Sequence, residues 1–317
     1  MEFRKESFTI QYHFYVCVES GEQFTTTEID VLNVNQVHNQ YRAKYGIPFT
    51  DEIKAIREKY DLSAAKMSDI LGLGINIYRN YEAGEMPSVA TGRLIRLADN
   101  PEEFGNLLEM SKNALESHEF TRVKKKIEQA EEEQVSVKSF IYDSIFGHNY
   151  PNLFNGYRIP SLEKLGWMIS YFAGRNKPFL TAMNKLLFYA DFSHFKKYGT
   201  GISGIYYKAL PKGPVPDNYG ILYNFAVNEG FAQVEEVDFG EFVGDRLIAD
   251  HTDLPEKARP LFSDAESAIL KKVSEQFQGL STKNIIDISH QEPAWQNNVG
   301  DFNRISFEYA FELKNVE

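Results

Sequence analysis

The chain has 317 residues, enough for two domains and a connecting segment, and its 43% hydrophobic content excludes intrinsic disorder as a description of the whole. Its net charge of −11, from 45 acidic and 34 basic residues, excludes a nucleic-acid coating protein, because such affinity comes from cations displacing counterions from phosphates. A single cysteine, Cys17, excludes an intramolecular disulfide; no apolar run reaches the roughly 20 residues of a membrane span, and the opening MEFRKESFTI lacks a long apolar stretch, so a cytoplasmic protein without membrane contact is expected.

Residues 7 to 26 read as β. Phe8, Ile10, Tyr12, Phe14, Val16 and Val18 alternate with mostly polar neighbours, and Glu19-Ser20-Gly21-Glu22 supplies a turn before a short second strand. A helix is predicted from Thr27, as cap, to Tyr45, with Ile29, Leu32, Val37 and Tyr41 on its face and Gly46 and Pro48 ending it.

Three short helical patterns follow. Asp51 to Tyr60 and Ser63 to Leu71 have apolar residues at helical spacing, with Ser63 as N-cap of the second. Leu71 to Gly84, LGLGINIYRNYEAG, has the layout of the turn and second helix of a helix-turn-helix DNA reader. Gly72 allows a left-handed backbone. Leu71, Leu73, Ile77 and Tyr81 would form the inward stripe, leaving Ile75, Asn76, Arg79 and Asn80 outside. An amide there can pair with adenine, and a guanidinium with guanine or phosphate. The expected DNA contacts are Lys66, Gly74, Asn76, Arg79 and Asn80. Between Asp51 and Asp99 the basic residues Lys54, Arg57, Lys59, Lys66, Arg79, Arg93 and Arg96 face eight acidic ones. A near-neutral reader suits an operator-specific dimer with weak non-specific attraction. An ordinary three-helix packing unit is the other reading of these residues.

Arg93 to Leu115 continues helically with a break at Asn100-Pro101, and Glu119 to Ser144 reads as an exposed linker helix carrying the basic run Lys124 to Lys126. His148 to Pro160 is the domain boundary. Beyond it Leu162, Leu165, Trp167, Met168, Ile169 and Phe172 mark a buried helix, and Leu180 to Phe195 another that is apolar nearly all round. Gly201 to Leu210 reads as a strand, Pro211 to Pro216 as a rigid loop, and Asp217 to Asn228 and Asp264 to Phe277 as helices, the latter capped by Ser263. The fold class expected is mainly α with small β elements (α+β). Its parts are a β-hairpin and helix (1–49), a helix-turn-helix bundle (50–110), a linker helix (111–147) and a mostly helical domain (148–317).

Two resemblances extend this. The stretch up to about residue 110 resembles the MqsA-like antitoxins, through Val34-Asn35-Gln36-Val37, Tyr41-Arg42, Ile56-Arg57-Glu58, Leu71-Gly72-Leu73-Gly74 and Tyr81-Glu82-Ala83-Gly84. The resemblance implies that Asn76 faces operator bases, whereas the family's arginine is replaced by Asn80. Arg79 points about 100° away on a helix, so an altered or weaker reading of guanines is expected. The family's two Cys-x-x-Cys knuckles are reduced to Cys17, with Ser20 in place of its partner. One thiolate, even beside His13 or His38, cannot close a tetrahedral zinc site, so no metal and no cofactor is expected.

From about Ser161 the chain resembles the Panacea domain of SocA-like antitoxins. The carrying blocks are Leu165, Asn184-Lys185-Leu186-Leu187-Phe188-Tyr189-Ala190, Lys208-x3-Lys212-Gly213-Pro214-Val215, and Ser289-His290-x2-Pro293-x-Trp295. This implies a cognate protein toxin, encoded by an adjacent gene and neutralised by direct binding or by delivery to a Clp-type protease. Tyr189, Tyr207, Lys212, Pro214 and Trp295 are the expected toxin contacts.

Enzymatic chemistry finds no constellation. His-Glu-x-x-His, a P-loop, a Rossmann fingerprint and a Gly-x-Ser-x-Gly elbow are all missing from the sequence. Asp287, Ser289 and His290 are too close along the chain to converge as a triad; a hydrogen-bonding role is expected for His290. The aromatic richness around Tyr189, Phe192, Tyr206, Tyr207, Tyr219 and Trp295 fits core packing and a protein interface better than single-strand stacking, because basic interleaving is thin. The expectation is a non-enzymatic antitoxin that binds its toxin and, as a homodimer, represses its own operon on double-stranded operator DNA. The alternatives are a plain, phage-associated repressor without a toxin, and a toxin-neutralising module whose helix-turn-helix no longer binds DNA.

Overall fold

Two minimal hairpins precede the first helix of the computed structural model, which describes residues 1–134, 137–147, 150–240 and 243–316. β1 (Glu2–Phe3) pairs with β2 (Glu6–Ser7), and β3 (Tyr15–Val16) with β4 (Gln23–Phe24). The turn between β3 and β4 falls where expected, with Gly21 at φ 73° and Cys17 N–H donating to the Glu22 carbonyl at 2.9 Å. The long alternating strand does not form. Phe8 pairs with the backbone of Met1, and from Thr9 to His13 amide side chains of α1 (Thr27–Tyr45), rather than a strand among the described residues, take the backbone groups. Gln11 and Gln36 exchange bonds of 3.0 and 2.8 Å, and His13 and Asn33 exchange two of 2.8 Å. Gln40 donates to the Thr9 carbonyl at 2.8 Å. Asn33, Gln36 and Gln40 stand three and four residues apart, so one helix face supplies the whole row. The cap of α1 is Thr26, one residue earlier than expected, and Gly46 at φ 65° closes the helix.

The chain divides into two compact units, Met1–His148 and Asn149–Glu317. In the first, α2 (Thr50–Lys59), α3 (Ala64–Ile70) and α4 (Ile77–Glu82) are followed by α5 (Val89–Leu97), α6 (Pro101–Met110), α7 (Ser117–Gln134) and α8 (Val137–Phe146). Ile53, Ile56, Met67, Ile70, Tyr78, Ile95 and Phe104 form their common core. Val123, Ile127 and Ala130 of α7 are also buried in that core. The exposed linker helix expected for Glu119 to Ser144 is therefore corrected over α7: its sparse apolar residues, four and three apart, are enough to seat one face against α6, while Lys124 lies outside near Glu109. The side chains from Val137 to Ile141 lie outside the described residues.

The second unit is built around a helix with almost no solvent face. α9 (Leu162–Asn176) and α10 (Leu180–Tyr198) come first, and α10 is buried from Ala182 through Phe195. β5 (Tyr207–Leu210) and β6 (Gly213–Pro216) follow as an antiparallel pair, then α11 (Tyr219–Asn228) and a second pair, β7 (Gln233–Asp238) and β8 (Val243–Ile248). α12 (Asp264–Phe277), α13 (Thr282–Ser289) and α14 (Pro293–Gln296) complete it. The expected cap of α12 holds: Ser263 and Glu266 form a reciprocal capping box. The loop expected at Pro211 to Pro216 is a strand from Gly213 onward. A proline lacks only the N–H, and on a two-stranded ribbon Pro214 and Pro216 can leave that side of the ladder unused. The pair β7 and β8 was not anticipated. Its residues are mostly exposed on both faces, so the hydrophobic alternation that signals a half-buried strand is missing. The architecture is mainly helical with small two-stranded sheets, as the sequence led us to expect.

Candidate functional site

Most of the residues expected to read DNA are exposed on the first unit. Ser63 caps α3, accepting from Lys66 N–H at 3.2 Å, and Gly72 takes the left-handed φ of 65° that the turn requires. Tyr78 locks α4 down. It is fully buried, donates through its hydroxyl to the Ile53 carbonyl at 2.7 Å, and its N–H bonds Ser68 Oγ at 3.1 Å. Arg57 of α2 adds an ion pair to Glu82 at 2.6 Å. Tyr78 was missed as a core anchor because the stripe was drawn through Ile77 and Tyr81. Gly74, Ile75, Asn76, Arg79 and Asn80 are all exposed. Asn76 starts α4 at φ 64° and leaves its side chain uninvolved in capping. Among the described residues the side chains of Asn76, Arg79 and Asn80 make no internal hydrogen bond or ion pair, so they face outward uncommitted. Lys66 differs: it ion-pairs with Glu119 at 3.1 Å. A phosphate would have to displace that carboxylate.

The hairpin that carries Cys17 was compared above with a zinc domain. The Cys17 thiol is held below its ordinary pKa, first by a hydrogen bond from the Ser20 hydroxyl and then by turn amides. His38 packs on Phe3 at 4.8 Å. Among the described residues no three His, Cys, Asp or Glu side chains gather as a metal site.

In the second unit the three separated blocks converge on the β5–β6 turn. Trp295 Nε1 donates to the Leu210 carbonyl at 2.8 Å. The His290 ring stacks on Trp295 with centroids 3.8 Å apart and bonds the Pro211 carbonyl. Gly213, at φ 101°, comes so close to Lys185 and Ser289 that a Cβ there would lie 2.6 Å from Lys185 Cε and 2.5 Å from Ser289 Oγ. Only glycine satisfies both the angle and the approach.

Lys185 is the unusual member. It is fully buried on α10, and its Nζ has no hydrogen-bond partner among the described residues. Burial, with a smaller push from the nearby Lys212 ammonium, takes its pKa down to about 7. Burial first and Lys185 second also lower the His290 pKa, and His290 Nε2 is a buried nitrogen with no hydrogen-bond partner among the described residues. Ser289 Oγ donates back to the Ile286 carbonyl at 2.8 Å, so it is not poised by His290 as a nucleophile would be. The site therefore presents an exposed Lys212 on a tight turn, a half-buried Trp295–His290 stack beside it, and an unpaired amine beneath.

Three expected toxin contacts, Tyr189, Tyr207 and Pro214, are corrected. Tyr189 and Tyr207 have no exposed surface. The Tyr189 hydroxyl bonds Glu292 at 3.1 Å, and Tyr207 donates to Asp191 at 2.6 Å. Asp191 also accepts from the N–H groups of Ile202 and Ser203 at 2.6 and 2.7 Å, so it anchors the segment between α10 and β5. Pro214 is buried as well. Lys212 and Trp295 remain able to meet a partner. In the sequence Lys185 stood out only as a member of the Asn184–Ala190 block.

No helix among the described residues is long and apolar enough to cross a membrane. Comparison with curated proteins and with solved structures returned no match. A family model does match: residues 183–296, from α10 through α14, fit the one described as "Antitoxin SocA-like, Panacea domain". That span holds Lys185, Lys212, Gly213, His290 and Trp295, so the convergent site lies within a SocA-like Panacea domain in the C-terminal region of this chain.

Proposed function

We propose that this protein is a non-enzymatic cytoplasmic antitoxin that neutralises a cognate protein toxin through its Panacea domain and represses its own operon through the α3–α4 unit. The match of residues 183–296 to the SocA-like antitoxin family carries the reading. The toxin contact is assigned to the face formed by Lys212, the Trp295–His290 stack and the turn between β5 and β6. It offers an exposed cation beside a stacked ring pair, of which tryptophan is a side chain enriched at protein hot spots. The autoregulatory part draws support from the uncommitted Asn76, Arg79 and Asn80 on one surface, acting in a homodimer on double-stranded DNA. Toxin binding and operator binding in one chain would be linked, each altering the other's affinity by the same factor.

Co-expression tests the first part. The adjacent gene's product should arrest growth alone, and co-expression of this chain should restore it; Lys212→Glu with Trp295→Ala should lose the rescue while the protein remains folded. A neighbour that is harmless when expressed refutes the antitoxin reading. A gel shift on the operon's own promoter, with Asn76→Ala as control, tests the second part. Loss of rescue when a Clp-type protease is deleted would assign neutralisation to proteolytic delivery, and retained rescue to direct binding.

A further inference from the structure

The β7–β8 pair has one covered edge and one open edge. On β8, Leu247 N–H donates to the Pro178 carbonyl at 3.0 Å, and Phe179 forms a bridge to Arg246. That bond fixes the phase of the ladder. Because the Leu247 N–H points away from β7, Leu247 and Val234 are a non-hydrogen-bonded pair, and so, at steps of two, are Glu236 with Asp245 and Asp238 with Val243. The backbone N–H and C=O groups of Val234, Glu236 and Asp238 are therefore turned outward, where no other strand pairs with β7 among the described residues. β7 is exposed along almost its whole length, so these groups are reachable. A row of this kind is a template for an added strand.

Charge decides which strand. β7 carries Glu235, Glu236 and Asp238 and no cation. Glu235 is answered across the ribbon by Arg246 at 3.4 Å, on the face that meets the Phe179 ring. Glu236 and Asp245 lie directly opposite each other on the other face, and both are exposed. Non-hydrogen-bonded partners approach to ~4.5 Å between Cα atoms, so like charges there destabilise the ribbon. Asp238 shares that face, its carboxylate accepting from the Gly240 N–H at 2.7 Å. Among the described residues none of Glu236, Asp238 and Asp245 forms an ion pair. A second copy of β7 would bring the same carboxylates to the edge and be repelled. A strand with Lys or Arg at alternate positions would set its cations beside Glu236 and Asp238 and relieve the conflict with Asp245.

We propose that the open edge of β7 binds a basic, extended segment of a partner protein by strand addition. Main-chain bonds run to Val234, Glu236 and Asp238, and the segment's Lys or Arg side chains lie on the face of Glu236, Asp238 and Asp245. This surface is not the Lys212 turn, and the inference does not depend on the antitoxin reading.

Fluorescence anisotropy of the full chain with a labelled, end-capped peptide, Lys-Val-Lys-Val-Lys-Val, tests it. The same peptide with its amide nitrogens methylated keeps the charge but loses the main-chain donors, and should bind more weakly by about tenfold or more. A Glu-Val peptide of equal length should not bind. Glu236→Lys should weaken the basic peptide by about tenfold or more, whereas Glu128→Lys, the same charge change in the first unit, should leave its affinity unchanged. Peptide binding should also slow amide hydrogen exchange at Val234, Glu236 and Asp238 but not at Glu235 and Val237, which already bond β8. No binding of the basic peptide would mean that the carboxylates serve only to keep the edge unpaired, and overturns the proposal. Equal binding of the methylated or acidic peptide, or binding without slowed exchange at the outward amides, overturns it as well.

Discussion

Replacing Lys185 by methionine should stabilise the second unit near neutral pH and remove a specific part of its pH dependence. Methionine is unbranched and can follow the lysine stem past Gly213 without a new clash. The Lys185 amine is lowered from 10.5 to about 7. Between those values the unfolded chain holds this proton more than the folded chain does, so folding stability rises with pH across that window; the full penalty applies below it and vanishes above it. At about 1.4 kcal/mol per unit the full penalty is on the order of 5 kcal/mol. It falls to about 4 kcal/mol at pH 7, where the buried amine is half ionised, and to about 2 kcal/mol at pH 9. The gap between variant and wild type should therefore narrow by about 2 kcal/mol from pH 7 to pH 9. Urea unfolding followed by tryptophan fluorescence measures it cleanly, because both tryptophans, Trp167 and Trp295, belong to the second unit. Other groups titrating in that range are common to both proteins and cancel. A gap that does not change with pH, or a variant less stable at pH 7, refutes the reasoning. If the gap appears, Lys185 is kept at a cost to stability, the pattern expected of a residue retained for function.

Three further outcomes follow from the geometry. Arg79→Ala should weaken operator binding and, if the guanidinium meets a phosphate, reduce the salt slope of log K by about one; an unchanged slope and affinity would remove Arg79 from the contact surface. Tyr207→Phe should destabilise the second unit by about 1–3 kcal/mol through the lost bond to buried Asp191, yet leave toxin affinity per folded molecule unchanged, which a pull-down at matched folded concentration would check. Arg57→Ala, which cuts the α2–α4 ion pair to Glu82, should cost about 1 kcal/mol in thermal unfolding of the first unit and lower operator affinity more than Lys54→Ala does on the same helix; equal effects would mean that α4 is positioned by its core contacts alone.

Periodicity made the helices legible. α1, α9, α10 and α12 lie within a few residues of where apolar spacing and caps put them, because those signals are local: a Ser or Thr side chain reaches its own first turn, and a glycine ends the same helix it follows. The family resemblance in the second unit was also legible, carried by blocks such as Asn184-Lys185-Leu186 and Ser289-His290. What those blocks do to one another was not. That Gly213 presses on Lys185 and Ser289, that His290 and Trp295 grip the turn of a hairpin, and that the amine beneath has no hydrogen-bond partner among the described residues depend on approaches spanning 28 to 85 positions along the chain. The assignment of Tyr189 and Tyr207 to an interface failed for the same reason. An aromatic side chain serves a core and a binding face equally well, and composition does not separate the two. The amide row of Asn33, Gln36 and Gln40 replaced an expected strand because a backbone needs partners, not necessarily another backbone. Sequence by itself determined the helices, the reader-like outline at Leu71 to Gly84 and the family blocks, since each rests on short-range spacing. Tertiary structure alone decided which of the marked residues are buried and which face a partner, because burial is set by what packs against a residue from elsewhere in the chain.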